Sequence, residues 1–209
     1  SHVEDINKGL SAQLDWSLGD YTLTSITAWR GWNNTQWQDG DRLATISAAF
    51  PGTEDKGDLD FNQYSQELRL ASPKGQFLEY VGGLYYMHGK DDETYRRALV
   101  TTTRTDVGVA DYSTTSDSYS VFGESTLNFT SAFRGIAGLR WTHDELEYDH
   151  RRLSTSATTV SGIQPATSSS GSVDEDGWSG RLGPQYDLTD NVMPYLTDSR
   201  GYKGPASNV

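Results

Sequence analysis

The sequence contains no cysteine. That excludes a disulfide framework and any thiolate metal site. Positive charge is scarce, with 17 Lys and Arg against 29 Asp and Glu and a formal net charge of −12. Nucleic-acid binders carry basic patches, so no nucleic-acid partner is expected. No apolar run reaches the roughly 18–20 residues that a membrane-spanning helix needs. No apolar targeting segment opens the sequence, and the missing cysteines leave the compartment open. The mean hydropathy of −0.65 ordinarily accompanies a water-soluble chain. Strands with one face toward a polar interior escape that inference. What the sequence has instead is 6 Trp, 12 Tyr, 6 Phe and 21 Gly, a composition suited to β-structure at a membrane.

The clearest pattern runs from Ser118 to Trp141. Tyr119, Val121, Gly123, Ser125, Leu127 and Phe129 fall on alternate positions, with Ser120, Glu124, Thr126 and Asn128 between them. After Thr130-Ser131-Ala132 the alternation resumes as Phe133, Gly135, Ala137, Leu139 and Trp141, with Arg134 and Arg140 on the other face. A period of two marks a strand with one apolar side, and two such runs joined by small polar residues make a hairpin. Each arm holds its pattern for about nine residues. Soluble strands average about 5–6, whereas a strand tilted across a bilayer needs about 9–11. The second arm also begins and ends with an aromatic, as a strand with a ring at each membrane interface does.

The same pattern recurs along the chain. Leu10, Ala12, Leu14, Trp16 and Leu18 lead into Gly19-Asp20. A two-residue turn there pairs Leu18 with Tyr21, Trp16 with Leu23 and Leu14 with Ser25. Paired residues share a face, so the apolar face continues to Trp29. Further strands are expected at Tyr64–Leu70, Phe77–Met87, Trp178–Leu188 and Val192–Tyr202. Short turns fall near 19–20, 73–76, 130–132 and 189–191. Long polar loops fall near 31–60, 89–117 and 143–176. Short periplasmic turns alternating with long extracellular loops are how an outer-membrane barrel is connected. Residues 1–209 therefore read as one all-β domain, an antiparallel transmembrane β-barrel segment of about eight strands. Leu14, Leu23, Leu127, Ala137 and Leu139 are expected toward lipid. Trp16, Tyr21, Trp29, Phe133 and Trp141 are expected at the membrane interfaces. Arg30, Arg69, Glu124, Arg134, Arg140 and Arg181 are expected to face a lumen.

Several segments resemble the barrel of TonB-dependent outer-membrane receptors. They are the run Tyr21 to Arg30, Gln66-Glu67-Leu68-Arg69-Leu70, Gly138 to Glu145 and Trp178-Ser179-Gly180-Arg181-Leu182-Gly183. The most specific is Ser199-Arg200-Gly201-Tyr202-Lys203-Gly204. The resemblance implies part of a 22-stranded barrel in the bacterial outer membrane. A plug domain that engages TonB would precede residue 1, and further strands would follow residue 209. It implies active uptake of a scarce solute, by default a ferric siderophore or similar chelate, with outer-membrane lipid and lipopolysaccharide as surroundings. Pro184 and Asp198 depart from the family pattern, which usually has an aliphatic and an aromatic residue there. Proline donates no ladder hydrogen bond, so irregularity is expected at Pro184.

Other chemistry is thin. His143-Asp144-Glu145 with Glu147, Asp149 and His150 is the densest group of ligand-type side chains. Alternation divides it between two faces, so a hydrophilic strand extension is the simpler reading and no metal site is assigned. Asp55, Asp58 and Asp60 around Gly57 lack the terminal Glu of a calcium loop. Arg96-Arg97 and Arg151-Arg152 read as solvated loop stems. No small-residue elbow surrounds a serine. No enzyme activity, catalytic residue or cofactor is assigned. Two alternatives remain at this stage. One is a closed eight-stranded barrel with an adhesin or structural role, which would pair its first and last strands. The other is a soluble carbohydrate-binding β-sandwich.

Overall fold

The computed structural model describes residues 1–42, 45–47 and 50–205. It is a single antiparallel sheet in sequence order. The strands are β1 (His2–Leu18), β2 (Tyr21–Asp39), β3 (Gly52–Ala71), β4 (Leu78–Val100), β5 (Thr105–Asn128), β6 (Phe133–Ser154), β7 (Thr167–Tyr186) and β8 (Asp198–Arg200). Among the described residues there is no helix. There is also no ladder between β1 and β8, so the chain does not close on itself as an eight-stranded barrel.

The first hairpin has the register its turn dictates. Leu18 pairs with Tyr21, Trp16 with Leu23 and Leu14 with Ser25. Gly19 supplies a φ of +66°, a conformation that favours glycine in tight hairpin turns.

The long polar segments differ from expectation. Most of 31–60, 89–117 and 143–176 is strand, not loop, and the connections at that end shrink to 40–51, 101–104 and 155–166. The reason is physical. Alternation reveals a strand only where one face is apolar. These extensions are mostly polar, with rings scattered on the reverse face rather than an alternating apolar stripe, yet their backbones are held by continuous ladders such as Gly52–Ala71 against Val81–Val100.

The last hairpin also departs. Only Asp198–Arg200 of the expected 192–202 strand is regular. The two sides stay in register, with Tyr186 N–H donating to the Pro194 carbonyl (3.0 Å) and Leu196 N–H to the Pro184 carbonyl (3.1 Å). A regular antiparallel pair would return each bond, but Pro194 and Pro184 have no N–H to do so. The Pro184 carbonyl points at Leu196, so its missing donor faces that side only. The ladder to β6 therefore continues through Gly135 and Pro184. A Cβ on Gly183 would meet the Leu196 carbonyl, so the backbones approach closely there.

Candidate functional site

Following the register from strand to strand sorts every side chain onto one of two faces. On the first lie Leu14, Trp16, Leu23, Leu68, Leu84, Val121, Leu139 and Leu182, all on pairs that match across β1 to β7. Most of these are exposed, Leu139 by 57% and Leu182 by 66%. We call this the band face. A continuous apolar surface across seven strands far exceeds the patches that water-soluble proteins expose. Aromatics mark both margins of the band. Tyr21, Phe133 and Tyr186 lie at the turn end; Trp29, Tyr64, Tyr86, Tyr119, Trp141 and Trp178 lie at the other, paired as Trp29–Tyr64, Tyr86–Tyr119 and Trp141–Trp178. Of the five aromatics singled out from sequence, Trp16, Tyr21, Trp29, Phe133 and Trp141 all fall on this face.

Arg30, Arg69, Glu124, Arg134, Arg140 and Arg181 all fall on the opposite, reverse face. Glu124, Gly138 and Arg181 form one cross-strand row. Arg181 bonds Glu124 with both Nε (2.8 Å) and Nη2 (2.7 Å), passing over Gly138. A Cβ on Gly138 would lie 3.2 Å from Glu124 Oε2 and 3.4 Å from Arg181 Cγ, so glycine keeps the bridge low. Arg134 holds both oxygens of Asp187 (2.6 and 2.9 Å) and the Gln185 amide oxygen (3.1 Å). Arg140 donates to Ser120 Oγ (2.8 Å) and lies over the Tyr85 and Phe122 rings. Arg69 meets Glu67 at 3.2 Å. Arg30 runs beside Gly9.

Above the band the reverse face carries a denser array, which sequence reasoning missed. Trp32, Phe61, Asp91, Thr114 and Tyr148 form one row; Asn34, Leu59, Glu93, Tyr112 and His150 form the next; Gln36, Gly57, Tyr95, Ala110 and Arg152 form the third. His150 is 5% exposed and stacks on Tyr112 at 4.7 Å. Arg97 is bidentate on Asp55 (2.7 and 3.0 Å), and Tyr95 donates to the same carboxylate (2.8 Å). The Arg97 hydrogen bond holds the Asp55 carboxyl below its ordinary pKa and the guanidinium above its own. Burial pushes Asp91 and Glu93 upward.

The connection 155–166 folds onto this array. Val160 and Ile163 exchange backbone bonds (2.9 Å each) around Ser161 and Gly162, whose φ values are 48° and 84°. Ile163 is 2% exposed and seats against Gly108, where a side chain would come within 3.2 Å of it. Gly162 lies against the Arg97 guanidinium with no room for a Cβ. Arg152 donates to the Gln164 side-chain oxygen (2.7 Å). Two cavities lie on this face, and the connection roofs only the second. One of about 350 Å³ is lined by Trp32, Asn34, Gln36, Gln38, Glu93, Tyr95 and Arg97. The other, about 200 Å³, lies under the 160–164 turn.

The sequence-level ligand groups do not assemble. Asp55 is on the reverse face, whereas Asp58 meets Lys56 (2.9 Å) on the band side and Asp60 bonds Asn33 there. Arg96 and Arg97 point to opposite faces, as do Arg151 and Arg152. His143 gives Nδ1 to Asp176 (3.0 Å) and Nε2 to Glu145 (3.2 Å). The two carboxylates thus flank the ring at opposite nitrogens. Their hydrogen bonds, Asp176 first, raise the His143 pKa. Among the described residues no three His, Asp or Glu side chains converge as a metal site.

The arrangement sets aromatic rings, amides and charged groups side by side on one face. Solved structures share the fold. The chain is similar to the ferric yersiniabactin uptake receptor FyuA from Yersinia pestis (TM-score 0.74, 19% identity, 93% of this chain and 28% of that one). It is similar to the ferric-catecholate import receptor Fiu from E. coli K12 in its open form (0.67, 13%, 94% and 35%). It is also similar to the siderophore receptor PiuA from Acinetobacter baumannii (0.66, 16%, 93% and 32%). At these identities the likeness shows the fold, and the chain spans about a third of each receptor's length. No match is found among curated proteins. The family described as "TonB dependent receptor-like, beta-barrel" matches residues 2–209, and the chain belongs to it, a family of outer-membrane β-barrels of Gram-negative bacteria.

Proposed function

We propose that these strands form part of the wall of an active outer-membrane transporter that takes up a scarce solute, a ferric siderophore or similar chelate. The band face meets lipid and the reverse face lines the lumen. The connections 40–51, 101–104 and 155–166 lie outside the cell, and the short turns lie in the periplasm. The exposed edge of β1, whose every residue is exposed, pairs with another strand, because an open edge cannot persist in hydrocarbon. A plug fills the lumen and couples to TonB, which draws on inner-membrane energy to release the solute inward. The substrate reading is supported by the structural relatives, which are a ferric yersiniabactin uptake receptor, a siderophore receptor and a ferric-catecholate import receptor.

The observation that carries the proposal is the separation of faces. Neighbouring positions such as Ser125 and Thr126 lie on opposite sides along the whole band. Single cysteines at these two sites in the intact receptor test it. A nitroxide label at each site should be relaxed by dissolved oxygen at Ser125→Cys and by a water-soluble nickel chelate at Thr126→Cys. The reverse result would sink the lipid and lumen assignment. Loss of receptor-dependent uptake of radioactive iron chelates on deletion tests the transport reading.

A further inference from the structure

The charge on the upper reverse face is unevenly matched. Its two arginines are engaged, Arg97 with both oxygens of Asp55 and Arg152 with Gln164. Asp91 and Glu93, on one strand and one face, accept no hydrogen bond from any described residue. Asp91 Oδ1 is moreover sealed from solvent without a partner. A desolvated carboxylate with no donor is unfavourable, and an arriving cation would relieve it.

The surroundings suit a particular cation. Glu93 lines the 350 Å³ cavity together with Trp32 and Tyr95, whose ring already carries the Arg97 guanidinium at 5.8 Å. Phe61 flanks Asp91 and Tyr112 flanks Glu93 in the cross-strand rows. Aromatic faces attract organic cations, most strongly where water is excluded. Asn34, Gln36 and Gln38 add side-chain carbonyls that accept hydrogen bonds from an ammonium group. Since Asp55 cancels Arg97 and Lys56 pairs with Asp58, which also lines the cavity, the unmatched charge there is that of Glu93.

We propose that this cavity binds an organic ammonium group carried by the transported chelate, with Glu93 as its counter-charge and Trp32 as its aromatic wall, while Asp91 in the neighbouring cross-strand row adds to the negative potential. The proposal rests on the reading of the reverse face as the transport lumen. It makes the receptor selective for chelates with a positive substituent, and Glu93 a specificity residue.

The test uses the intact receptor in detergent and two probes. Ferrioxamine B is a ferric trihydroxamate with one free protonated amine; its N-acetyl derivative is the same chelate without that charge. The cationic chelate should bind roughly tenfold tighter or more, the scale of a hydrogen bond to a charged group. The double variant Asp91→Asn/Glu93→Gln should remove that advantage and leave the neutral chelate unchanged. Folding of the variant is checked by heat-modifiable migration. Equal binding of the two chelates, unmoved by the variant, overturns the proposal and is the result expected if a basic plug residue fills the cavity. Binding of neither chelate also overturns it. The labelling of Ser125 and Thr126 reports separately whether the lumen reading stands.

Discussion

Three leucines of the band face differ in depth and little else. Leu182 pairs with Ala137, midway between Phe133 and Trp141. Leu139 lies one pair nearer the Trp141–Trp178 margin. Leu18 pairs with Tyr21 at the turn margin. All are exposed, by 66%, 57% and 54%, so none is shielded by protein neighbours. Replacing each with Arg forces the same charge toward the same surface at three depths. On the lipid face of an outer-membrane barrel an Arg costs about 2–4 kcal/mol at the midplane and about 0–1 near the interfaces. The expected order is therefore Leu182→Arg, then Leu139→Arg, then Leu18→Arg, spanning about 3 kcal/mol. Arg140→Leu is the control on the opposite face. It removes the bond to Ser120, a loss of about 1 kcal/mol or somewhat more. The assay is denaturant unfolding of the intact receptor in phospholipid vesicles, followed by tryptophan fluorescence. A flat profile across the leucines, or an Arg140→Leu cost equal to that of Leu182→Arg, would mean that the band does not face lipid.

Gly138→Val should lift the Arg181–Glu124 bridge apart. The coupling between those two residues in a double-mutant cycle, about 0.5–1 kcal/mol for so exposed a pair, should vanish in its background. His143 should titrate above 6.5 in the folded protein. Its ion-pair stabilisation is complete below 6.5 and fades as pH rises through the folded value, and Asp176→Asn should lower that value more than Glu145→Gln does, read by NMR of the ring protons. Pro184→Leu restores the donor that the Leu196 carbonyl lacks, so amide exchange across 194–198 should slow; unchanged exchange would place the irregularity elsewhere.

The band of this fold was legible because its two faces carry opposite chemistry on adjacent residues. From Tyr119 to Leu127 that contrast is visible without coordinates, and the turn at Gly19-Asp20 fixed the first register to the residue. Beyond Trp29, Met87 and Trp141 the contrast disappears. Asn33 and Asn34 are both polar, as are Asp91 and Asp92, and as are Glu145 and Asp144. With both faces wet, periodicity has nothing to report, and the strands read as loops. They continue because each backbone extends a ladder already nucleated in the band. Pro184 is the converse case. Its irregularity was foreseen from proline's missing donor, but the side affected depends on which neighbour its carbonyl addresses.

The candidate site was illegible for a related reason. Trp32, Phe61, Glu93, Tyr112 and His150 come from five strands, and nothing local to any of them signals a neighbour. Their rows exist only because the registers of β2 to β6 add up, and each register is set by a turn at the far end of the hairpin. The turn between Ala71 and Leu78 decides whether Glu93 stands opposite Leu59 on the reverse face or opposite a residue of the band side. A shift of one residue there would turn Asp92 and Thr94 to the reverse face in place of Asp91 and Glu93, and so remove Glu93 from the cavity, since successive side chains alternate. Asp92 already has Lys90 and Ser113 as partners on its own side, whereas Asp91 and Glu93 have none among the described residues. The unmatched carboxylates are thus a product of register at the Ala71–Leu78 turn, read out at the opposite end of the strands. The band's strict alternation is what carries that choice along the strands to the upper reverse face.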